Sequence, residues 1–336
     1  MLDELEDRRL IFVTGKGGVG KSTMVASLGR ALAERGNQTL VVETDAYSAM
    51  EDLLGVTLSD NAVSAVDPPL HAIKLLPSEC IVDTIARFVP SERIVRTILN
   101  NRVARIFFNA APGVDQFALL DQVRQFLDRT DGDEPRWDNI IVDLPASGHA
   151  VTFLSVPSTF RDLIKVGPIA EAASELADIV EDPARSAILA ICLPEEMPVN
   201  ETIEFQDKLR DAVGRGLTLT FANMVHRAPL SDSQKEKFAD LVGRLDRDAL
   251  IAETISGKAE EHRAVERVIA GNVLAMDWYE RDERYLGVLR EGLDTPVQEV
   301  PVIYETEGGD IVEGIVEFLL GTDNEDDDES SETLAS

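Results

Sequence analysis

The stretch GKGGVGKST, Gly15 to Thr23, decides the fold of this chain. A short apolar run, Leu10 to Val13, precedes it, and a segment with helical periodicity, Ser22 to Glu34, follows it. A strand, a glycine-rich turn and a helix start form a phosphate cradle, because backbone N–H groups converge on an anion and the helix start adds positive potential. The complete Walker A pattern is present at four positions: Gly15, Gly20, Lys21 and Ser22.

This pattern predicts a role for each residue type in the loop. We expect Lys21 to reach the terminal phosphates of a nucleotide and the Ser22 hydroxyl to hold Mg²⁺. The predicted nucleotide-binding residues are Gly15, Lys16, Gly17, Gly18, Val19, Gly20, Lys21, Ser22 and Thr23.

A second lysine in the loop, Lys16, narrows the class of protein. The stretch KGGVGKS resembles the deviant Walker A motif of dimerising P-loop ATPases. In that group the additional lysine crosses a dimer interface and contacts the phosphates bound by the other subunit. A cation there stabilises charge developing on the transferring phosphoryl group, as an arginine finger does. The alternative is an exposed loop lysine in a protomer that never dimerises.

Two further apolar strands end in a carboxylate. The predicted strand Ile140–Asp143 resembles a Walker B strand, so Asp143 is predicted to hold Mg²⁺ from the second shell. The strand Thr39–Thr44 is followed by Asp45, which is placed to orient water or to reach Mg²⁺ through water. On position alone, Asp45 is equally well explained as a helix N-cap.

The rest of the chain alternates short β-branched apolar runs with amphipathic stretches, which predicts an α/β fold with a mostly parallel central sheet flanked by helices. Further predicted strands are His71–Leu75, Ala187–Leu193, Leu217–Asn223 and Val297–Val302. Further predicted helices are Asn200–Ala212, Ser231–Val242 and a stretch from Glu260 towards Arg290, whose continuity at Gly271 is open.

The segment from about residue 78 to 130 carries apolar residues at helical spacing and no clear strand, which predicts a helical insertion subdomain. We expect one ATPase domain over residues 1–321 and a disordered acidic tail over 322–336, because the tail is too polar to fold. After Asp143, Gly148 is expected to permit a loop that senses the γ-phosphate. His149 is either a general base or, as the plainer interpretation, a packed or capping residue.

With these motifs in order, the chain resembles the ArsA-type ATPase family. GKGGVGKST matches the P-loop of that family, VVETDAYSAMEDLL resembles its first switch, usually written S-T-D-P-A, and DLPASGHAVTFL resembles its D-T-A-P-T-G-H-T segment. The resemblance implies ATP and Mg²⁺ as cofactors, Lys16 acting in trans, and Asp45 positioning the attacking water. It also implies that Asn223 reads adenine and that the segment from Pro301 passes near the base.

The sequence departs from the family pattern at both switches. The first reads D-A-Y, without the proline after Asp45, and the second reads D-L-P-A, without a hydroxyl after Asp143. Both changes bear on the hydrolysis rate rather than on nucleotide binding. No CxxC is present, so the zinc that clamps the eukaryotic targeting dimer is not expected. Cys80 and Cys192 cannot supply the three thiolates with which the arsenite pump binds metalloid.

The net charge and the hydropathy of the chain limit which partners and which cellular location we expect. A net charge of −30 argues against nucleic acid and anionic lipid as partners. The N-terminus lacks an apolar signal region and no run is long enough to span a bilayer, so a cytoplasmic protein without direct membrane insertion is predicted. We expect an Mg²⁺-dependent ATPase that acts as a dimeric switch, homodimeric or heterodimeric, on a client, for which a membrane protein is one candidate. The alternatives are a weakly hydrolysing module that pairs with a related ATPase, a positioning ATPase on DNA or membrane, and an arsenite-stimulated enzyme.

Overall fold

An eight-stranded sheet lies at the centre of the protein. The computed structural model describes residues 2–44, 49–88, 112–231, 234 and 264–321. The strands of the sheet are β1 (Leu10–Gly15), β2 (Thr39–Glu43), β3 (Ser64–Asp67), β4 (Leu70–Lys74), β7 (Asn139–Asp143), β8 (Ser186–Cys192), β9 (Leu219–Val225) and β10 (Val297–Pro301). Two short strands, β5 (Thr130–Asp131) and β6 (Glu134–Pro135), form a separate hairpin.

The strand order is β10-β9-β8-β1-β7-β2-β4-β3, with β1 in the interior of the sheet. Every pairing is parallel except that of β3 with β4, which closes one edge. Parallel strands end at the same edge of a sheet, and ligands of open α/β sheets bind outside those carboxyl ends. The topology therefore brings the ends of β1, β7 and β2 together beside the glycine-rich loop.

Helices cover both faces of the sheet. Their bounds are α1 (Leu2–Glu6), α2 (Lys21–Glu34), α3 (Met50–Leu54), α4 (Pro77–Phe88), α5 (Val114–Leu127), α6 (Ser147–Leu163), α7 (Pro168–Glu181), α8 (Glu196–Val213), α9 (Ala264–Gly292) and α10 (Gly308–Leu320). Helices α1, α2, α3 and α10 share a buried cluster with one face, and α4 to α9 share a cluster with the other. Burial on both faces explains why the central strands read as continuous apolar runs.

Successive strand residues alternate between the two clusters. Leu40 and Val42 belong to the cluster on the α5–α8 side, whereas Val41 lies with α2 on the opposite side. The same alternation holds in β7, where Ile141 faces α2. Residues two apart on a strand share a face, so the last residues of β2 and β7, Glu43 and Asp143, lie on the α2 face.

The predicted α/β class with a mostly parallel sheet is confirmed, and each of the seven predicted strands is present with its ends shifted by two residues or fewer. Helix α9 continues without a break through Gly271, so the stretch whose continuity was open is a single helix. Elements not predicted are the edge strand β3, the β5–β6 hairpin and helices α1, α3, α6, α7 and α10.

Several predictions concern residues that are only partly described. The proposed insertion contains α4 and α5, both helical, while residues 89–111 lie outside the described residues. The predicted helix Ser231–Val242 and the acidic tail 322–336 also lie largely or wholly outside them, so the domain bounds stay predictions. None of the described helices combines the length and the apolar character needed to cross a bilayer.

Candidate functional site

The glycine-rich loop joins β1 to α2 with the geometry of an anion cradle. Gly15 is the last residue of β1, residues 16–20 form the turn, and Lys21, Ser22 and Thr23 make up the first turn of α2. Gly18 and Gly20 have φ of 87° and 83°, which L side chains rarely adopt. Helix α2 has no side-chain cap and no acidic residue in its first turn, so its leading N–H groups are suited to a phosphate.

Asp143 at the end of β7 binds the first two residues of α2. The Lys21 ammonium donates to Asp143 Oδ1 in a short ion pair, and Ser22 Oγ donates to Asp143 Oδ2 at 2.8 Å. The Asp143 side chain is only 4% exposed, so its charge depends on these two donors. Lys21, Ser22 and Asp143 are thus brought together as the sequence predicted, and this donor set fits a Mg²⁺ ion bound with phosphate.

Hydroxyl groups tie the neighbouring strand ends to this cluster. Thr44 Oγ1 donates to the backbone carbonyl of Asp143 at 2.7 Å, and Thr14 Oγ1 donates to the carbonyl of Pro145 at 3.1 Å. Asp45 itself lies outside the described residues, so its predicted role in orienting water stays a prediction. The contact of Thr44 nevertheless fixes the start of that segment next to the Walker B strand.

Lys16 makes a contact that the sequence did not indicate. Its Nζ donates to Glu201 Oε1 of α8 at 2.8 Å, with side-chain exposures of 29% and 40%. In this conformation the loop lysine is therefore neutralised within its own chain.

Asn223 and the loop are in direct contact. The Asn223 side chain is buried, and its Nδ2 donates to the carbonyl of Val19 at 2.9 Å. A Cβ on Gly20 would lie 2.5 Å from this nitrogen, so the close approach requires glycine. Met224, the next residue, has a φ of 58°, a strained value for a residue with a long side chain. Asn223, which the resemblance predicts to read adenine, thus holds the phosphate loop through a hydrogen bond to its backbone.

A cleft of about 840 Å³ opens beyond the ends of β9 and β10. Pro301 lines it, as does the segment that follows Pro301. Other lining residues include Val225, His226, Pro229, Tyr304, Asp310 and Glu313. The cleft starts two residues beyond Asn223 and is large enough for a nucleoside. Pro301 and Asn223 therefore lie near each other in different settings. Pro301 is part of the cleft wall, whereas Asn223 contacts the phosphate loop.

His226 is held in the wall of this cleft by a buried aspartate of α9. Asp282 is fully buried, and its Oδ2 accepts the backbone N–H of His226 at 2.9 Å and lies 2.7 Å from His226 Nδ1. The carboxylate thereby fixes the ring and favours a proton on Nδ1. Sequence reasoning missed this pair because the two residues lie 56 positions apart in no recognisable motif.

The second switch segment differs from its sequence-based description. Gly148 lies in the first turn of α6 and is exposed, so the expected loop at this position is wrong: the helix begins at Ser147. His149 is also exposed in that turn. Leu144, at the position that lacks the hydroxyl, is fully buried in the core, so its side chain does not face the loop.

Glu43 is a further charged residue of the site that sequence reasoning missed. It stands where the S-T-D-P-A pattern has its serine, which was the available signal. Its side chain is 2% exposed, and it pairs in register with Asp143 across the β2–β7 ladder. The carboxyl edge of the sheet thus carries two buried acidic residues at paired positions, of which Asp143 contacts Lys21.

The fold and this loop define the class as a P-loop nucleotide-binding protein of α/β architecture. A family model described as anion-transporting ATPase, ArsA type, matches residues 8–176. The chain belongs to this family, as its motifs indicated.

Individual relatives are similar at modest identity. ATPase BagA of Mycobacterium tuberculosis is 30% identical over 218 residues, covering 60% of this chain and 61% of the relative. ATPase GET3C of Arabidopsis thaliana is 30% identical over 176 residues, covering 48% and 44%. An arsenical pump-driving ATPase of Escherichia coli is 25% identical over 263 residues, covering 71% and 43%. The chain spans about half the length of these curated relatives.

Proposed function

We propose that the protein is a Mg²⁺-dependent ATPase, converting ATP and water to ADP and phosphate, that works as a nucleotide-driven dimeric switch. The observation that carries this proposal is the cluster of Lys21, Ser22 and Asp143 at the start of an uncapped helix. Phosphate oxygens would replace Asp143 as the partner of Lys21, and Ser22 would supply an oxygen to the ion. When bound, Mg²⁺ neutralises charge on the phosphate oxygens.

The residues of the chain act by positioning and charge stabilisation rather than by covalent chemistry. The N–H groups of residues 16–22 hold the phosphates, and Asp45 orients the attacking water. Lys16 of one protomer stabilises the charge on the phosphates bound by the other, after leaving Glu201. The base enters the cleft beside Pro301, with Asn223 bracing the loop.

Phosphate release by the purified protein, with Mg²⁺ and with EDTA, tests the enzyme. We expect turnover only with Mg²⁺, and loss of it in Lys21→Ala. Lys16→Ala should leave the protomer folded and abolish turnover, whereas full activity in this variant would contradict the trans-acting lysine. Light scattering with ATP should show a dimer, and a monomer at every nucleotide state would contradict the switch.

The second candidate is a weakly hydrolysing module that forms a heterodimer with a related ATPase. The D-A-Y sequence at the first switch, without the usual proline, favours it. Brisk turnover by the protein alone would exclude it.

The protein that the switch binds, its client, is best identified with a variant in which ATP hydrolysis is slow. An Asp45→Asn variant in Mg·ATP should hold the closed dimer, and affinity capture from native lysate would then identify what it holds. Membrane proteins with a terminal apolar helix would indicate a targeting role in the cytoplasm. A second ArsA-type ATPase alone would indicate the heterodimer. The net charge of −30 leads us to expect no nucleic acid in either case.

A further inference from the structure

Strand β9 is irregular at the point where it passes the phosphate loop. Its pairing with β10 shifts register between Glu299 and Pro301, so that Asn223 and Met224 stand opposite a single residue of β10. A β-bulge of this kind leaves one residue unpaired, and bulges next to active sites re-aim a side chain. The bulge therefore changes how the side chains of Asn223 and Met224 are directed relative to those of a regular strand.

Both residues of the bulge bring their side chains to Gly20 of the phosphate loop. A Cβ on Gly20 would lie 2.5 Å from Asn223 Nδ2 and 3.9 Å from the terminal methyl carbon of Met224. On a regular strand, consecutive side chains point to opposite faces of the sheet, so one of the two would face away from the loop. The bulge thus places a second side chain, that of Met224, beside the loop.

Met224 holds this position in an unfavourable backbone conformation. Its φ of 58° lies in the left-handed region, where the Cβ of an L residue is crowded. It is also the exposed residue of a strand whose other residues are buried, with 45% of its surface accessible. Residues held in such conformations cluster at sites that bind ligands, where the conformation serves binding. The strain and the exposure of Met224 therefore both point to a ligand.

Met224 stands between the two parts of the proposed nucleotide site. Asn223, the residue before it, donates to the carbonyl of Val19 in the loop, and Val225, the residue after it, lines the cleft. A nucleotide with its phosphates in the loop and its base in the cleft passes Met224 with its sugar and the adjacent face of its base. A thioether suits this contact, because it is flexible and packs favourably on aromatic rings.

We propose that Met224 is an apolar contact for the nucleoside part of the bound nucleotide and that the bulge in β9 places it there. This inference rests on the proposed function and adds a residue to it. Binding covers the exposed side chain, so the nucleoside contributes affinity that the phosphate loop alone does not provide. Met224 thereby favours nucleotides over inorganic phosphates that fit the same loop.

The competing explanation is that Met224 only supports the loop. Its methyl group lies near Gly20, so a loop that depended on this contact would lose its shape when the side chain is removed. Every phosphate ligand would then bind more weakly, and the ligand-free protein would unfold at a lower urea concentration. The two explanations therefore differ in the effect on a ligand that has no nucleoside.

The experiment measures the Kd of ADP and of pyrophosphate by calorimetry in excess Mg²⁺. In Met224→Gly we expect the Kd of ADP to rise about fivefold and that of pyrophosphate to stay constant, because only ADP offers an apolar surface to the side chain. Glycine accepts the left-handed backbone, so the variant should fold. Met224→Leu keeps an apolar side chain of similar size and should bind both ligands as the wild type does. Val166→Gly, which removes an exposed apolar side chain between α6 and α7, is the matched control and should change neither Kd.

An unchanged Kd of ADP in Met224→Gly, or an equal rise for both ligands, would overturn the inference alone. Absence of ADP binding to the wild-type protein would overturn the proposed function and the inference with it. If the wild type binds ADP but not pyrophosphate, urea unfolding of the ligand-free proteins decides. A midpoint that stays constant or rises in Met224→Gly while ADP binding weakens supports the inference, and a midpoint that falls together with ADP affinity would overturn it.

Discussion

Lys16 Nζ lies 2.8 Å from Glu201 Oε1, so the loop lysine and helix α8 form an ion pair within one chain. A lysine that serves the other protomer must first leave this partner. We therefore expect Glu201→Gln to favour the ATP-bound dimer. Partly exposed ion pairs contribute about 0.2–1 kcal/mol, which corresponds to a dimerisation constant raised by up to about fivefold. Sedimentation velocity with a slowly hydrolysed ATP analogue measures it.

Glu204 provides the matched control for that experiment. It lies one turn further along α8 and pairs with Lys208 on the surface at 3.1 Å. Glu204→Gln removes the same charge and should leave the dimerisation constant unchanged. An equal effect of the two substitutions would mean that α8 acts through its net charge and not through the Lys16 contact.

The buried ion pair of Lys21 and Asp143 predicts a coupled effect on stability. Lys21→Met leaves Asp143 buried without its cation, which costs about 3 kcal/mol of unfolding free energy in the ligand-free protein. The double variant Lys21→Met, Asp143→Asn removes the stranded charge and should recover most of that loss. Neither protein should bind Mg·ADP.

Urea unfolding of the wild-type, single and double variants checks this coupling. Additive destabilisation in the double variant would show that the two groups do not compensate each other. In that case, the close contact between Lys21 and Asp143 would contribute nothing to the ligand-free fold.

Alanine substitutions at Gly20 and at Gly18 distinguish the cost of backbone strain from the cost of a steric clash. Both have a positive φ, so alanine at either costs about 1 kcal/mol of strain. At Gly18 a Cβ meets open space, but at Gly20 it would lie 2.5 Å from Asn223 Nδ2 and displace its bond to Val19. Gly20→Ala should therefore destabilise the fold more than Gly18→Ala does.

The difference between the two glycine variants should shrink when Asn223 is replaced. In an Asn223→Ala background the clash is absent, so Gly20→Ala and Gly18→Ala should cost similar amounts in thermal unfolding. A difference that persists in this background would place its origin in the backbone of α2 instead.

The site could be predicted from the sequence only where its residues lie close together along the chain. The loop residues and Asp143 were found because each follows a strand within one short motif, and the parallel topology then places them together. The contact of Lys16 with Glu201 spans 185 positions and that of Asn223 with Val19 spans 204, so no local pattern encodes them. The conformational freedom of glycine predicts a loop at Gly148, but α6 begins one residue earlier, at Ser147. The edge strand β3 pairs on one side only, which leaves a weak apolar pattern.

The two cysteines predict how stability depends on pH at the alkaline end. Burial raises the pKa of the Cys80 thiol to about 12 and that of the Cys192 thiol to about 11. In the unfolded chain both thiols ionise near the ordinary value, so above it the unfolded state releases protons that the folded state retains. Stability is therefore fully present below pH 9 and falls as the pH rises towards 11, by about 1.4 kcal/mol per pH unit for each thiol.

Urea midpoints between pH 8 and 10.5 measure this slope, and a Cys80→Ala, Cys192→Ala variant is the reference. The free energy of unfolding should fall more steeply with pH in the wild type than in the variant, because only the wild type carries the two thiols. Other groups that titrate at alkaline pH are present in both proteins and cancel in the comparison. Thiol labelling at pH 8 gives a second readout: neither cysteine should react in the folded protein, and both should react in urea. Rapid labelling of either cysteine in the folded protein would show that the thiol is accessible and ionised, and would contradict the raised pKa.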